Sequence, residues 1–352
     1  MSPLRYTTPY VLGGIAAASL AAGGLWTWAL PVLVYAGLPL LELFLPGTPE
    51  NLDADGERAA LANRGFDAVL FGTIPVVYGL LAWFLWSATA GAFSGLSLVG
   101  AVVTTGLIAG ALGINVAHEL GHRANPWHQR AAQLLLLPSL YMHFFIEHNR
   151  GHHMRVATDD DPASSRRGEW LYTFWVRTVV GGWRSAWDLE ARRVGRTGSV
   201  WTLRNAMIRY TLIQGAFVAA IALLFSPATA ALFLVTAAVG FLQLETVNYV
   251  EHYGLRRTEK APGRYERVRP HHSWNSNHAL GRTLLFELTR HSDHHAHPRR
   301  PYPVLRHFDD APQLPTGYPG MMVLSAFPPL FFAVMDKRVD ALQEDGRRPL
   351  AA

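Results

Sequence analysis

Four short stretches of the chain carry nine of its sixteen histidines: "HELGH" from His118, "EHNRGHH" from Glu147, "NYVEHYG" around His252 and "RHSDHH" from Arg290. On a helix, positions i and i+4 lie one turn apart on the same side. His118 and His122 therefore share a face. His148 and His152 do too, with His153 adjacent, and His291, His294 and His295 fall at i, i+3 and i+4. Neutral imidazole is the commonest metal ligand among side chains. One tetrahedral ion takes about four ligands and one octahedral ion about six, so nine clustered rings point to two ions. Imidazole suits zinc, copper, iron and nickel alike, which leaves the metal open.

The chain has no cysteine. That excludes an iron–sulfur cluster, a thiolate-bound haem and a built-in rubredoxin centre. Soluble di-iron bundles use two Glu-x-x-His pairs with further glutamates, whereas here only Glu119 and His122 have that spacing, so the site is rich in histidine rather than carboxylate. "HELGH" also fits the zinc-protease signature, with Glu119 as general base. That reading needs one more ligand and leaves most of the clustered histidines without a task. A metal transporter would place histidines inside its spans or on both membrane faces, yet these clusters lie at helix ends on one side. Glu119, Glu147, Glu251 and Asp293 are placed to orient a ligand ring through its other nitrogen, or to be ordinary loop charges.

The elements that position these clusters are apolar. No Asp, Glu, Lys or Arg occurs between Arg5 and Glu42, between Asp67 and Glu119, or between Arg209 and Glu245. A spanning helix needs about 20 apolar residues, so each block suits two crossings, and each is broken near its middle: at Gly23, Gly24 and Pro31, at "SATAGAFSG" from Ser87, and at Pro227. The expectation is an all-α integral membrane protein of six transmembrane helices. Three hairpins would cover about 8–46, 67–118 and 207–250, with cytoplasmic catalytic segments at about 118–206 and 251–352, in one domain over 1–352. The polar stretch Gly47 to Gly65 reads as a connection on the same side. The apolar runs Ala131–Ile146 and Gly320–Met335 are short and contain prolines, so they read as pieces packed at the membrane face or re-entrant elements rather than full crossings. Eleven arginines against seven acidic residues between Glu147 and Arg209 place that segment in the cytoplasm by the positive-inside rule, and both termini with it. The pI of about 9.6 follows from this topology, and no basic-aromatic nucleic-acid module is present.

The motifs HELGHR, FFIEHNRGHH followed by VATDDDPASSRRGE, NYVEHYGL, and SWNSNH leading to RHSDHHAHP, with the later LPTGYPGM, resemble the integral-membrane alkane monooxygenases, the alkane omega-hydroxylases. These belong to the wider superfamily of membrane desaturases and fatty-acid hydroxylases. The resemblance implies a six-helix protein of the bacterial inner membrane with a cytoplasmic centre of two non-haem irons. Its ligands would be His118, His122, His148, His152, His153, His252, His291, His294 and His295. It also implies terminal hydroxylation of medium-chain alkanes drawn from the bilayer, using dioxygen and electrons from rubredoxin and its NAD(P)H-dependent reductase. The alternative within this chemistry is action on fatty acyl chains or xylene-type methyl groups. Of the remaining histidines, His278 lies in the family-like "WNSNH" and is a candidate for a supporting role.

An unactivated alkane has no acidic proton, carbonyl or leaving group, so acid–base and nucleophilic catalysis have nothing to act on and the hard step must belong to the metal centre. Selection of the terminal carbon calls for a closed-ended apolar channel, because hydrophobic pockets discriminate single methylenes weakly. Arg166, Arg167, Arg192 and Arg193 are candidates to dock an acidic electron carrier, or else they serve topology alone.

Overall fold

The computed structural model describes residues 2–45 and 47–344. The end expected for the first hairpin, Pro46, and both ends of the expected domain, 1 and 352, lie outside the described residues. Among the described residues five helices are long and apolar enough to cross a membrane: Gly24–Glu42, Gly65–Thr89, Gly95–Gly121, Ala206–Leu224 and Pro227–His252. The chain is thus a multi-pass membrane protein. Helices Gly65–Thr89 and Gly95–Gly121 occupy the second uncharged block, and Ala206–Leu224 and Pro227–His252 the third. The first differs, because its leading arm, Pro9–Ala22, has 14 residues. That is about 21 Å of helix against a hydrocarbon core of about 30 Å. Its turn is made by Gly23 and Gly24, both at positive φ (64° and 51°), where a Cβ would be strained.

Two spans set the geometry of everything below them. Gly95–Gly121 ends three residues after His118, and Pro227–His252 ends on His252. They cross at small residues: a Cβ on Gly106 would stand 2.8 Å from the Thr236 carbonyl oxygen, and one on Gly240 would stand 3.3 Å from the Gly106 carbonyl oxygen. Between apolar helices in lipid, where no hydrophobic force draws them together, close backbone approach at glycine supplies the packing energy. The helix from Gly95 also contains a π-helical turn, Ala109–Ile114, which shifts the phase of its last two turns.

Both short apolar runs stay out of the spans, as expected. Helix Pro126–Leu136 passes into a 3₁₀ turn at Leu137–Ser139 and stops at left-handed Leu140 (φ 49°). Residues beyond Gly320 divide between helices Tyr318–Ser325 and Pro328–Glu344. The longest element of the arginine-rich segment is the 25-residue helix Leu171–Gly195. Its buried face, including Phe174, packs on Tyr249 of the last span. Below the spans, Trp274, Tyr249, Tyr253, Tyr318 and Phe331 form a second apolar cluster that walls the histidine region. A buried ionic clasp ties the N-terminus to this region: Glu287 accepts from the Tyr6 hydroxyl at 2.7 Å and from Arg282 Nε at 2.7 Å.

The Gly106 crossing yields a direct expectation. Gly106→Leu forces the two ligand-bearing spans apart and costs about 1–3 kcal/mol by overpacking. It should appear as a lower unfolding temperature in detergent; an unchanged temperature would mean the crossing contributes nothing.

Candidate metal centre

The nine clustered histidines converge into two groups. His118, His122, His148, His153 and His294 form one, and His152, His252, His291 and His295 form the other; within each group one ligand atom per residue lies within 4.8 Å of every other. The contacts run from Nε2 to Nε2. In the first group they are 2.8 Å for His118–His294, 3.0 Å for His122–His148, 2.9 Å for His148–His153 and 3.1 Å for His153–His294. In the second they are 3.2 Å for His152–His295, 3.3 Å for His252–His291 and 2.9 Å for His291–His295. Donors at about 2.0–2.1 Å from one ion stand about 2.9 Å apart across an octahedral edge and about 3.3 Å across a tetrahedral one. The rings are therefore already spaced as ligands of a common ion.

The partition differs from the helix-face expectation. His148 and His152 were expected to share a centre, with His153 beside them. Instead His148 pairs with His153, and His152 joins the other group. The cause is a π-helical turn, His148–His152, in which the His153 N–H donates to the His148 carbonyl. Five-residue spacing lines up 148 with 153 and rotates 152 aside. A single helical face likewise splits at the fourth motif: His291 and His295 serve one group, His294 the other. His118 and His122 stay together as their spacing implies.

Burial decides the charge of these rings. It pushes His122 down to about 3, and with the neighbouring imidazoles it drives His148, His153, His291, His294 and His295 well below the usual histidine range. Burial thus holds these six in the neutral form near pH 7. Nδ1 of His148, His153, His291 and His295 is buried without a hydrogen-bond partner among the described residues. With the ring proton on that atom, Nε2 presents its lone pair inward. A set of neutral, converging lone pairs fits a divalent cation and little else.

Only Glu251 of the four carboxylates proposed to orient a ring reaches one, and it does so differently. Its Oε2 lies 3.1 Å from His291 Nε2, the nitrogen that faces the group, so this carboxylate is a further candidate ligand rather than an outer support. Glu119 turns away to Arg123 at 2.8 Å and to the Tyr302 N–H; it cannot serve as the general base of a zinc protease from there. Glu147 binds Arg155 at 2.6 Å. Asp293 accepts two bonds from Arg300, one from the Arg306 N–H and one from His297 Nδ1, which pins the segment after the fourth motif. In each case a nearby arginine offers a stronger partner than a neutral imidazole.

The orienting carboxylate is Asp161, which sequence reasoning missed. Its Oδ2 sits 2.9 Å from His152 Nδ1. Burial opposes its charge, but His152 and the Ser164 hydroxyl outweigh that and hold the carboxyl down at about 2. The signal was the triplet Asp159, Asp160, Asp161 in "VATDDDPASS". Only the third is buried, and no periodicity distinguishes it.

The other seven histidines join neither group. His128 faces Asp67, His143 packs on Tyr141, His278 meets Ser276, and His297 and His307 sit beside Asp293 and Asp309. Glu266, His271 and His272 lie close together as well. In His272, however, Nδ1 accepts from the Arg269 N–H and Nε2 faces Glu266, so no lone pair is left for a metal.

Two openings meet the centre from opposite sides. A narrow cavity touches His118, His148 and His291 and is walled by Ala111, Phe144, Leu244, Val247 and Leu285. It shares Ala111, Gln243, Val247 and Leu285 with a second, apolar cavity that continues among the spans to Leu12, Leu30 and Leu107. On the other side a wide polar cleft reaches His122 and His153. It is lined by Arg123, Arg150, Arg193, Arg204, Arg209 and Arg299, with Glu190 as its one acidic lining residue. Of the four arginines proposed for docking, Arg193 lines this cleft; Arg167 instead pairs with Asp340 at 2.6 Å.

A spanning helical frame with histidines gathered at its helix ends has a family counterpart: the model for fatty acid desaturases matches residues 93–325, which include all nine. Among curated proteins, the chain is 40% identical to alkane 1-monooxygenase 1 of Alcanivorax borkumensis, covering 96% of this chain and 83% of that protein. It is 42% identical to alkane 1-monooxygenase 2 of Pseudomonas aeruginosa, covering 90% and 85%. A xylene/toluene monooxygenase hydroxylase component of Pseudomonas putida is 28% identical over 96% of this chain and 89% of its own length. The chain belongs to the alkane 1-monooxygenase family, within the membrane desaturases and hydroxylases.

Asp161→Asn removes the charge behind His152 while keeping its size. Loss of such a support lowers metal affinity about 10–100-fold, measurable by competition with a chelator; unchanged affinity would assign the His152 orientation to packing alone.

Proposed function

We propose that this protein is an alkane 1-monooxygenase of the bacterial inner membrane, with active site and termini cytoplasmic. It converts medium-chain n-alkanes to primary alcohols with dioxygen and electrons from rubredoxin. The observation that carries this reading is the pair of buried neutral imidazole groups at the head of an apolar cavity. The nine histidines would hold two non-haem irons, His118, His122, His148, His153 and His294 one of them, and His152, His252, His291 and His295 the other, with Glu251 beside the second. Pro9–Ala22, preceded by the helical turn Pro3–Thr7, would make the sixth crossing. Because both ligand sets draw on segments from 118 to 295, the whole chain acts as one catalytic domain.

When bound, the irons supply the dioxygen chemistry that no side chain can: one oxygen atom enters the terminal C–H bond, and two electrons and two protons reduce the other to water. The chain's own residues do the rest. Ala111, Leu244, Val247 and Leu285 hold the hydrocarbon and exclude water; each methylene buried contributes about 0.8 kcal/mol. Leu12, Leu30 and Leu107 line the far part of the second cavity, which would receive the tail while the terminal methyl is presented at His118 and His148. The greater identity to alkane 1-monooxygenases than to the xylene enzyme favours an alkyl over an aromatic substrate.

Electrons would enter from the cleft side. Glu190 pairs with both Arg150 and Arg193, with contacts of 2.5 and 2.7 Å, and offsets one of their two charges. Arg204, Arg209 and Arg299 remain to attract an acidic carrier such as rubredoxin toward His122 and His153.

The purified protein, given dioxygen, reduced rubredoxin and a medium-chain n-alkane, should contain two irons and release a primary alcohol. His153→Ala should abolish turnover and lower iron content. One zinc without dioxygen uptake would overturn the proposal. Reversal of charge at Arg204 and Arg209 together should raise KM for reduced rubredoxin several-fold and flatten its salt dependence, with KM for the alkane unaltered; identical salt curves would remove the cleft as the docking face.

A further inference from the structure

The second apolar cavity contains one group that an alkane cannot use. Glu42, at the end of the first span, lines it together with Leu38, Leu284, Leu285 and Met322. The side chain is 3% exposed. Its Oε1 accepts the Gly281 N–H at 3.0 Å, and its Oε2 is buried without a hydrogen-bond partner among the described residues. The site is built around this carboxyl: a Cβ on Gly317 would run into it, and one on Gly281 would stand 3.2 Å from Oε1. Where the two cavities meet, Gln243 Oε1 is also buried without a partner among the described residues. Gln243 lines both cavities.

Burying a polar oxygen beside a pure hydrocarbon gains nothing and leaves its desolvation uncompensated. The primary alcohol that forms at the centre differs from its alkane only by a hydroxyl, which can donate to a carboxylate or accept from a carboxylic acid. We propose that Glu42 is a hydroxyl-binding residue of the channel, which holds the primary alcohol product after it leaves the histidine centre, with Gln243 as the intermediate contact. The inference rests on the hydroxylase reading above. It also assigns the cavity walled by Leu38 and Met322 as the product's route toward the bilayer.

Binding of labelled 1-decanol and n-decane to the metal-loaded protein in lipid nanodiscs, with empty nanodiscs subtracted, tests this without turnover. Glu42→Leu should weaken 1-decanol binding about threefold to tenfold, the range for one lost hydrogen bond, while n-decane binding stays within about twofold. Glu42→Gln, which keeps an acceptor for Gly281, should retain most of the alcohol affinity. Gln243→Leu should give a smaller selective loss and guards against a folding defect in the first variant. A ratio of alcohol to alkane affinity that is the same in wild type, Glu42→Leu and Gln243→Leu overturns the proposal and makes Glu42 a clasp between the first span and the Gly281 segment. Failure of wild type to hydroxylate alkane would instead strike the reading beneath it.

Discussion

Mutual crowding of neutral imidazoles is the constraint on which the rest of the structure depends. Rings whose Nε2 atoms stand about 3 Å apart in a buried site repel one another through their lone pairs unless a cation lies between them or protons are shared among them. The protein makes this arrangement possible by removing every competitor. The nearby carboxylates are committed to arginines, as Glu119 is to Arg123, Glu147 to Arg155 and Asp293 to Arg300. The exceptions are Asp161, which touches an outer nitrogen, and Glu251, which faces inward. Ionic pairs in this protein thus act as insulation: they hold segments in place and keep negative charge from choosing its own position at the centre.

The second requirement is convergence from distant segments. His118, with His122 capping the same helix end, and His252 are delivered by the ends of two spans that touch through Gly106 and Gly240, so backbone approach within the membrane fixes the distance between ligands below it. The remaining rings come from short helices too small to be stable alone, and these are held by the aromatic cluster around Trp274 and Tyr253 and by the Glu287 clasp. Rigid spans locate the centre, and the polar region adapts to them.

Much of this was legible in the chain. Uncharged runs marked the hairpins, and clustered histidines marked the centre, because both are statements about composition over short windows. What could not be read was phase. The assignment of His152 and His153 to different groups turns on one π-helical turn, and regular helical periodicity predicts the opposite. The role of Asp161 depends on burial of one aspartate out of three in succession, which is a tertiary outcome. Arg166, Arg167 and Arg192 carry the same charge as Arg204 and Arg209, yet the cleft is formed by the latter because the turn after Gly195 folds back beside His122. The shortness of Pro9–Ala22 was hidden because an uncharged run gives total length and not where its turn falls.

The i, i+4 pair His118 and His122 has one member on the hydrocarbon cavity and the other on the arginine cleft. A single helical turn therefore separates oil from electrolyte. Under the proposed function, loading with hydrocarbon and delivery of electrons would use different walls of the same group, so neither visitor would need to depart before the other arrives. The centre is a partition with an opening on each side, and on that reading saturation of the bilayer with substrate would leave the aqueous door free.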